Sequence, residues 1–160
     1  MSAAKSVVVG VDGSPTSAAA LGWAVRQAQL TGSDVRAVTA WSYAPAFDPG
    51  WGKRTVQDIE QAHRRELAEF VDLARVPGVQ IRAELTEGDP AEVLLAASRD
   101  ADLLVLGRHG RGMVLRALLG SVSAKCLRAA TCPVVILPAV TKGNAGEVLG
   151  ALRDETGPII

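Results

Sequence analysis

The sequence predicts an α/β fold: a three-layer arrangement in which a parallel sheet is covered by helices on both faces. Three observations predict it. Short runs of β-branched residues are continuous rather than alternating, segments of helical apolar spacing separate them, and Gly, Pro, Asp and Ser mark the junctions. Strands buried on both faces read as unbroken apolar runs, and regular βα alternation yields parallel strands joined by right-handed crossovers. At 160 residues and 48% hydrophobic content the chain can bury one core. One domain is expected over residues 1–140, followed by a tail over 141–160.

The first strand is Ser6-Val7-Val8-Val9-Gly10-Val11-Asp12, closed by an Asp-Gly-Ser-Pro turn. Ser14 then supplies an N-cap and Pro15 a first-turn proline, and Ala18, Leu21, Ala24, Val25 and Ala28 recur at helical spacing up to Gly32. Trp23 sits beside these core positions and is read as packing. The rhythm repeats with a strand from Asp34 to Trp41 and a helix from Thr55 to about Arg75, carrying Val56, Ile59, Leu67, Phe70, Val71 and Ala74. A third strand is expected from Val79 to Leu85, a helix from Pro90 to Ser98 opened by Asp89, and a fourth strand from Asp102 to Leu106. After a glycine-rich loop, Ser121 to about Ala130 reads as a helix and Pro133 to Leu137 as a fifth strand, stopped by Pro138.

Two regions break the rhythm. Ser42 to Arg54 is a long connection with Tyr43, Phe47 and Trp51 among prolines and glycines, the composition of a lid, a contact surface or a mobile loop. The tail from Ala139 holds one weak helical stretch, Glu147 to Asp154, and is expected to be peripheral.

Charge narrows the choice of partner. Seventeen Lys and Arg balance seventeen Asp and Glu, so no net field draws the chain to nucleic acid or to an anionic membrane, and any anion must be held by a local site. The stretch after Met1 leads only into a short apolar run, far below the roughly 18 apolar residues of a spanning helix, and a cytoplasmic location is expected. The two cysteines, Cys126 and Cys132, form neither a CxxC pair nor a metal-ligand set. They read as reduced, packed thiols, with a redox switch as the alternative. His63 lies on a charged helix face and reads as solvated.

The chemistry concentrates in Gly107-Arg108-His109-Gly110-Arg111-Gly112-Met113 and the continuation to Gly120-Ser121-Val122-Ser123, placed between a buried strand and a helix. Glycines at 107, 110 and 112 permit positive φ and let backbone N–H groups approach an anion. Gly120-Ser121 opens a helix whose unpaired N–H groups at Ser121, Val122 and Ser123, together with the positive end of the helix dipole, favour phosphate, with two hydroxyls beside them. Arg108, Arg111 and Arg116 add positive charge, although arginines on a loop are as readily solvated. His109 either donates to a phosphate or is an exposed loop residue.

The spacing glycine, two residues, glycine, nine residues, glycine, Ser or Thr is met in full by Gly107, Gly110, Gly120 and Ser121. It closely resembles the nucleotide-binding signature of the universal stress protein family in its ATP-binding branch. The opening Val-Val-Val-Gly-Val-Asp-Gly-Ser, the Ala-Asp-Leu-Leu-Val-Leu-Gly strand and the closing Cys-Pro-Val-Val-Ile-Leu-Pro extend the resemblance over about residues 5 to 138. It implies a Rossmann-like, adenine nucleotide alpha hydrolase-like fold with an open, twisted five-stranded sheet in the order 3-2-1-4-5. In that order a crevice opens where the chain reverses between strands 1 and 4. The resemblance further implies that Asp12 and Gly107 face each other there, with Gly10 and Asp12 at the adenosine end or near a phosphate-bound divalent ion, and Thr39 and Ala40 lining the adenine pocket through backbone groups. A turn role is the alternative for Asp12. The implied ligand is ATP, with Mg²⁺ or Mn²⁺, and the implied assembly a homodimer paired through Pro133 to Leu137.

Signatures of several familiar enzymes are absent: the sequence has no GxxxxGK[ST] phosphate loop, no HExxH, no GxSxG and no GxGxxG after the first strand. The segment from Gly107 to Ser123 also contains no acidic residue or glutamine to orient an attacking group. A nucleotide-dependent regulator of a stress response, acting on an unidentified protein partner, is therefore expected. A slow metal-dependent hydrolase or phosphotransferase using Asp12, and a dimeric scaffold with a structural nucleotide, are the alternatives.

Overall fold

The computed structural model describes residues 5–43, 54–109 and 119–154, the side chain of Arg153 apart. The expectations placed on Gly110, Arg111, Gly112, Met113 and Arg116, and on the loop with Phe47 and Trp51, lie outside these residues.

The elements follow in chain order as β1 (Ser6–Gly10), α1 (Pro15–Thr31), β2 (Asp34–Trp41), α2 (Val56–Leu73), β3 (Ile81–Glu87), α3 (Pro90–Ser98), β4 (Leu103–Gly107), α4 (Ser121–Ala129), β5 (Val134–Leu137) and α5 (Ala145–Asp154). All the pairings are parallel, in the order β3-β2-β1-β4-β5. The β-branched run of β1 is central because it is buried on both faces: Val7 is 2% exposed and Val8 and Val9 are 0%. Successive side chains point to opposite faces. Val7 and Val9 accordingly join α1, α2 and α5 in one core, whereas Val8, Leu104 and Leu106 join α3 and α4 in the other.

Local chemistry sets most helix starts. Ser14 accepts from the Ser17 N–H at 3.1 Å with Pro15 in the first turn of α1. Thr55 and Asp58 form a reciprocal capping box on α2, and Asp89 accepts from the Glu92 N–H at 3.1 Å on α3. That bond holds the Asp89 carboxyl below the ordinary carboxylate range. Gly32, at φ 66°, ends α1 in the left-handed conformation that glycine adopts without a steric penalty.

Three expectations are revised. The third strand starts two residues later than its apolar run, at Ile81, because Gly78 at φ 81° still belongs to the turn and β2 pairs it as far as Trp41↔Glu87. His63 is not simply solvated: its ring lies 5.8 Å from that of Trp41, covering the end of β2. The tail is not peripheral. Asn144 and Glu147 cap α5 reciprocally, at 3.0 and 3.1 Å, so the helix begins before Glu147. Leu149 is then 2% exposed within the α1–α2 core, and a Cβ on Gly22 would collide with Leu152. Trp23 packs against the same core as expected. Cys126 is fully buried, and burial pushes its thiol up; Cys132 is half-buried, and both are free.

Truncating Leu149 to Ala should therefore cost about 2–4 kcal/mol in urea unfolding, the range for a buried leucine. A loss below about 0.5 kcal/mol, the level of a surface substitution, would show that α5 adds nothing to the core.

Candidate functional site

The strand order reverses between β1 and β4, so their carboxyl ends diverge and open a crevice at the topological switch point. A cavity of about 340 Å³ occupies it, within the size range of small-molecule sites. Gly10, Asp12 and Ala40 line one side, and Gly107, His109 and the start of α4 from Gly120 to Ser123 line the other. Pro90, Leu94, Val38 and Leu106 make an apolar wall, joined by Val11 and Ser17. Nine of the sequence-derived site residues thus come together here; Arg108 does not line the cavity, and its backbone is bonded to Gly120 and Leu137 beside it.

Each wall has a local cause. A Cβ on Gly10 would lie 2.7 Å from Leu106 and 3.2 Å from Leu94, so glycine lets these side chains close over the end of β1. Asp12 is both a turn residue and a lining residue: its Oδ1 accepts from the Ser14 N–H at 2.9 Å, and its own N–H donates to the Ser17 hydroxyl at 3.4 Å. Thr39 does not line the cavity; its hydroxyl donates to the Val11 carbonyl at 2.8 Å. The Val38 carbonyl accepts from Val11 N–H on the β1 side. Backbone groups two residues apart in a strand point the same way, so Ala40 directs its N–H and C=O past the end of β1 into the cavity.

The phosphate-facing expectations sharpen on the opposite wall. Gly107 does not have positive φ. It is glycine for space, because a Cβ would come within 2.5 Å of Thr16 Cγ2 in the first turn of α1. The Arg108 N–H donates to the Leu137 carbonyl at 2.8 Å and its carbonyl accepts from Gly120 N–H at 2.9 Å. These two bonds clasp the start of α4 to the ends of β4 and β5. Gly120, the N-cap of α4, has extended backbone and provides no side-chain cap. The Ala124 N–H makes the first helical bond, to the Gly120 carbonyl. The N–H groups of Ser121, Val122 and Ser123 consequently have no partner among the described residues and open on the cavity. Only one of the two expected hydroxyls is available as a donor there. Ser123 donates to the Gly107 carbonyl at 2.7 Å, whereas Ser121 is exposed.

His109 departs furthest from an exposed loop residue. It is 7% exposed, and its Nδ1 is sealed from solvent with no hydrogen-bond partner among the described residues. Sequence reasoning missed Val11, Ser17, Val38, Pro90, Leu94 and Leu106 as lining residues; α3 supplies two of them, and nothing in its sequence distinguishes its cavity face from its core face. Among the described residues no three His, Cys, Asp or Glu side chains gather as a metal site, and no helix is long and apolar enough to cross a membrane.

The model of the Universal stress protein family matches residues 3–138. A universal stress protein of Mycolicibacterium smegmatis is 35% identical over 136 residues, covering 82% of this chain and 45% of its own length. The chain spans about half the length of the curated relatives it matches. The structure of a universal stress protein in complex with cAMP superposes with TM-score 0.61 at 28% identity, covering 87% of this chain and 100% of that one. That of the universal stress protein from Archaeoglobus fulgidus in complex with dAMP gives TM-score 0.60 at 26% identity, covering 83% and 97%.

The Gly107–Thr16 approach is directly testable. Gly107→Ala should lower stability by about 1–3 kcal/mol through overpacking. Adding Thr16→Ser, which removes Cγ2 and keeps the hydroxyl, should recover most of the loss in chemical denaturation. Strictly additive losses would show that the two sites do not touch.

Proposed function

The chain belongs to the universal stress protein family, and from that premise we propose that it binds an adenine nucleotide, ATP foremost, as a nucleotide-dependent regulator in a stress response. The observation that carries this reading is the uncapped start of α4, where three N–H groups without a partner among the described residues and the positive end of a helix dipole open on a cavity with an apolar opposite wall. Phosphates fit the first feature. A flat apolar base fits the second, between Leu94 and Leu106, with the Ala40 backbone groups at its polar edge. The cAMP and dAMP held by the two structural relatives support an adenine ligand and leave the number of phosphates to measurement. Mg²⁺ or Mn²⁺ would arrive with the nucleotide, held by phosphate oxygens, water and at most Asp12, the cavity's one carboxylate among the described residues.

Regulation needs a route outward, and the clasp supplies one. Arg108 links the phosphate end to Leu137 at the end of β5, the edge strand. The Leu104 and Arg108 N–H groups donate to the Pro133 and Leu137 carbonyls, so Pro133, Val135 and Leu137 direct their carbonyls and any N–H inward. By alternation Val134 and Ile136 direct theirs outward. We extend the proposal to a homodimer paired through Pro133–Leu137, which would cover this edge.

Calorimetric titration of ATP with Mg²⁺ tests the first proposal on nucleotide-free wild type and on Gly120→Asp. An aspartate at this extended N-cap satisfies the helix itself and sets a negative charge where the phosphates go. Gly120→Asp should be at least as stable as wild type and should lose ATP binding. Unchanged binding would move the phosphates elsewhere, and a wild type that binds no nucleotide would refute the reading. For the assembly, sedimentation of Ile136→Pro, which deletes an outward N–H, should show monomer where wild type shows dimer; a dimeric variant would exclude the β5 pairing.

A further inference from the structure

His109 follows β4 at the mouth of the cavity, and its burial raises a question of hydrogen bonding rather than of packing. The residue is 7% exposed and lines the cavity. One of its two ring nitrogens, Nδ1, is sealed from solvent with no hydrogen-bond partner among the described residues. A buried polar atom without a partner is costly, and an unpaired N–H is rarer in folded proteins than an unpaired acceptor. The less costly tautomer therefore leaves a lone pair on Nδ1 and places the proton on Nε2. Nε2 is then the atom the ring can offer to the cavity.

The position of the residue says what that donor meets. A Cβ built on Gly120 would lie 3.7 Å from the His109 Cα, and one on Gly107 3.5 Å from the His109 carbonyl oxygen. The His109 backbone thus stands beside the start of α4, and the residue lines the cavity on the side carrying the three N–H groups that have no partner among the described residues. A fourth donor at that place suits a group with several acceptor oxygens and negative charge, and contributes far less to a nucleoside, which ends in a single neutral hydroxyl. We propose that His109 is a specificity-determining residue: it donates from Nε2 to a phosphate oxygen and so makes the cavity prefer nucleotides to nucleosides. This deepens the adenine-nucleotide reading and rests on it.

The test compares ATP, AMP and adenosine by calorimetry on wild type, His109→Ala, His109→Gln and His109→Asn, each first shown to be folded by thermal unfolding. His109→Ala should weaken ATP and AMP by roughly ten- to a hundredfold, as for loss of a hydrogen bond to a charged group, and leave adenosine within about twofold. Glutamine, whose amide nitrogen reaches the place of Nε2, should restore most of the loss. Asparagine, which reaches only the place of Nδ1, should not. In wild type, two-bond ¹H–¹⁵N spectra of the imidazole should show the proton on Nε2, and that resonance should move with ATP. This readout stands even where His109→Ala fails to fold.

Equal losses for all three ligands, no loss for any, rescue by Asn rather than Gln, or a ring protonated on Nδ1 alone would each overturn the proposal. A wild type that binds none of the three ligands overturns the nucleotide reading and this proposal with it. Tight ATP binding by wild type with an indifferent His109→Ala overturns this proposal only.

Discussion

At Gly107 the end of β4 has room for a hydrogen and for nothing larger. Thr16, in the first turn of α1, occupies the space that a side chain would fill, and its hydroxyl accepts the Val140 N–H at 3.0 Å. The Gly107 carbonyl accepts from Ser123 on α4. One small residue thereby holds the first turn of α1, the first turn of α4 and the chain leading to α5 at a single point. That point is the rim of the cavity. A larger residue there would press on Thr16 Cγ2 and through it on the first turn of α1. The geometry of the proposed phosphate site accordingly depends on a packing constraint more than on any charge.

The helix starts show a division of labour. α1, α2 and α3 each carry a side-chain cap, with Ser14, Thr55 and Asp89 accepting from the N–H of the third helical residue. α4 begins with a glycine that caps nothing, and its N–H groups are left to whatever enters the cavity. A glycine N-cap forgoes only about a few tenths of a kcal/mol of local stability against a side-chain cap, and a bound anion at the same place offsets it. Stability and ligand binding are thus opposed at Gly120: a residue that improves one should impair the other.

The second tie of the site runs sideways. The Arg108 backbone connects the start of α4 to the last residue of β5, so the start of α4 is tied to the sheet edge through two hydrogen bonds. On the opposite face, α5 is packed over Gly22 and shares the core of α1, and it meets the site through Val140 and Thr16. Both the edge strand and the terminal helix are therefore mechanically near the cavity, though remote from it in sequence.

By itself the sequence determined what depends on near neighbours in the chain. The unbroken Val7–Val9 run announced a strand buried on both faces. Ser14-Pro15 and Asp89-Pro90 announced helix starts, because a cap acts over three residues, and Gly107 and Gly120-Ser121 of the glycine spacing marked the strand end and helix start that lie beside the crevice. Only the tertiary structure decided what depends on contact between distant segments. Gly107 is glycine because Thr16 lies against it, ninety-one positions earlier in the chain. Ser123 turns to the Gly107 carbonyl instead of the cavity, Pro90 and Leu94 become a wall of the site, and Leu149 makes the tail part of the core. His109 is buried with one nitrogen unpaired for the same reason: periodicity and capping are encoded within a turn or two, whereas exposure and hydrogen-bond partnership are set by the packing of elements on one another.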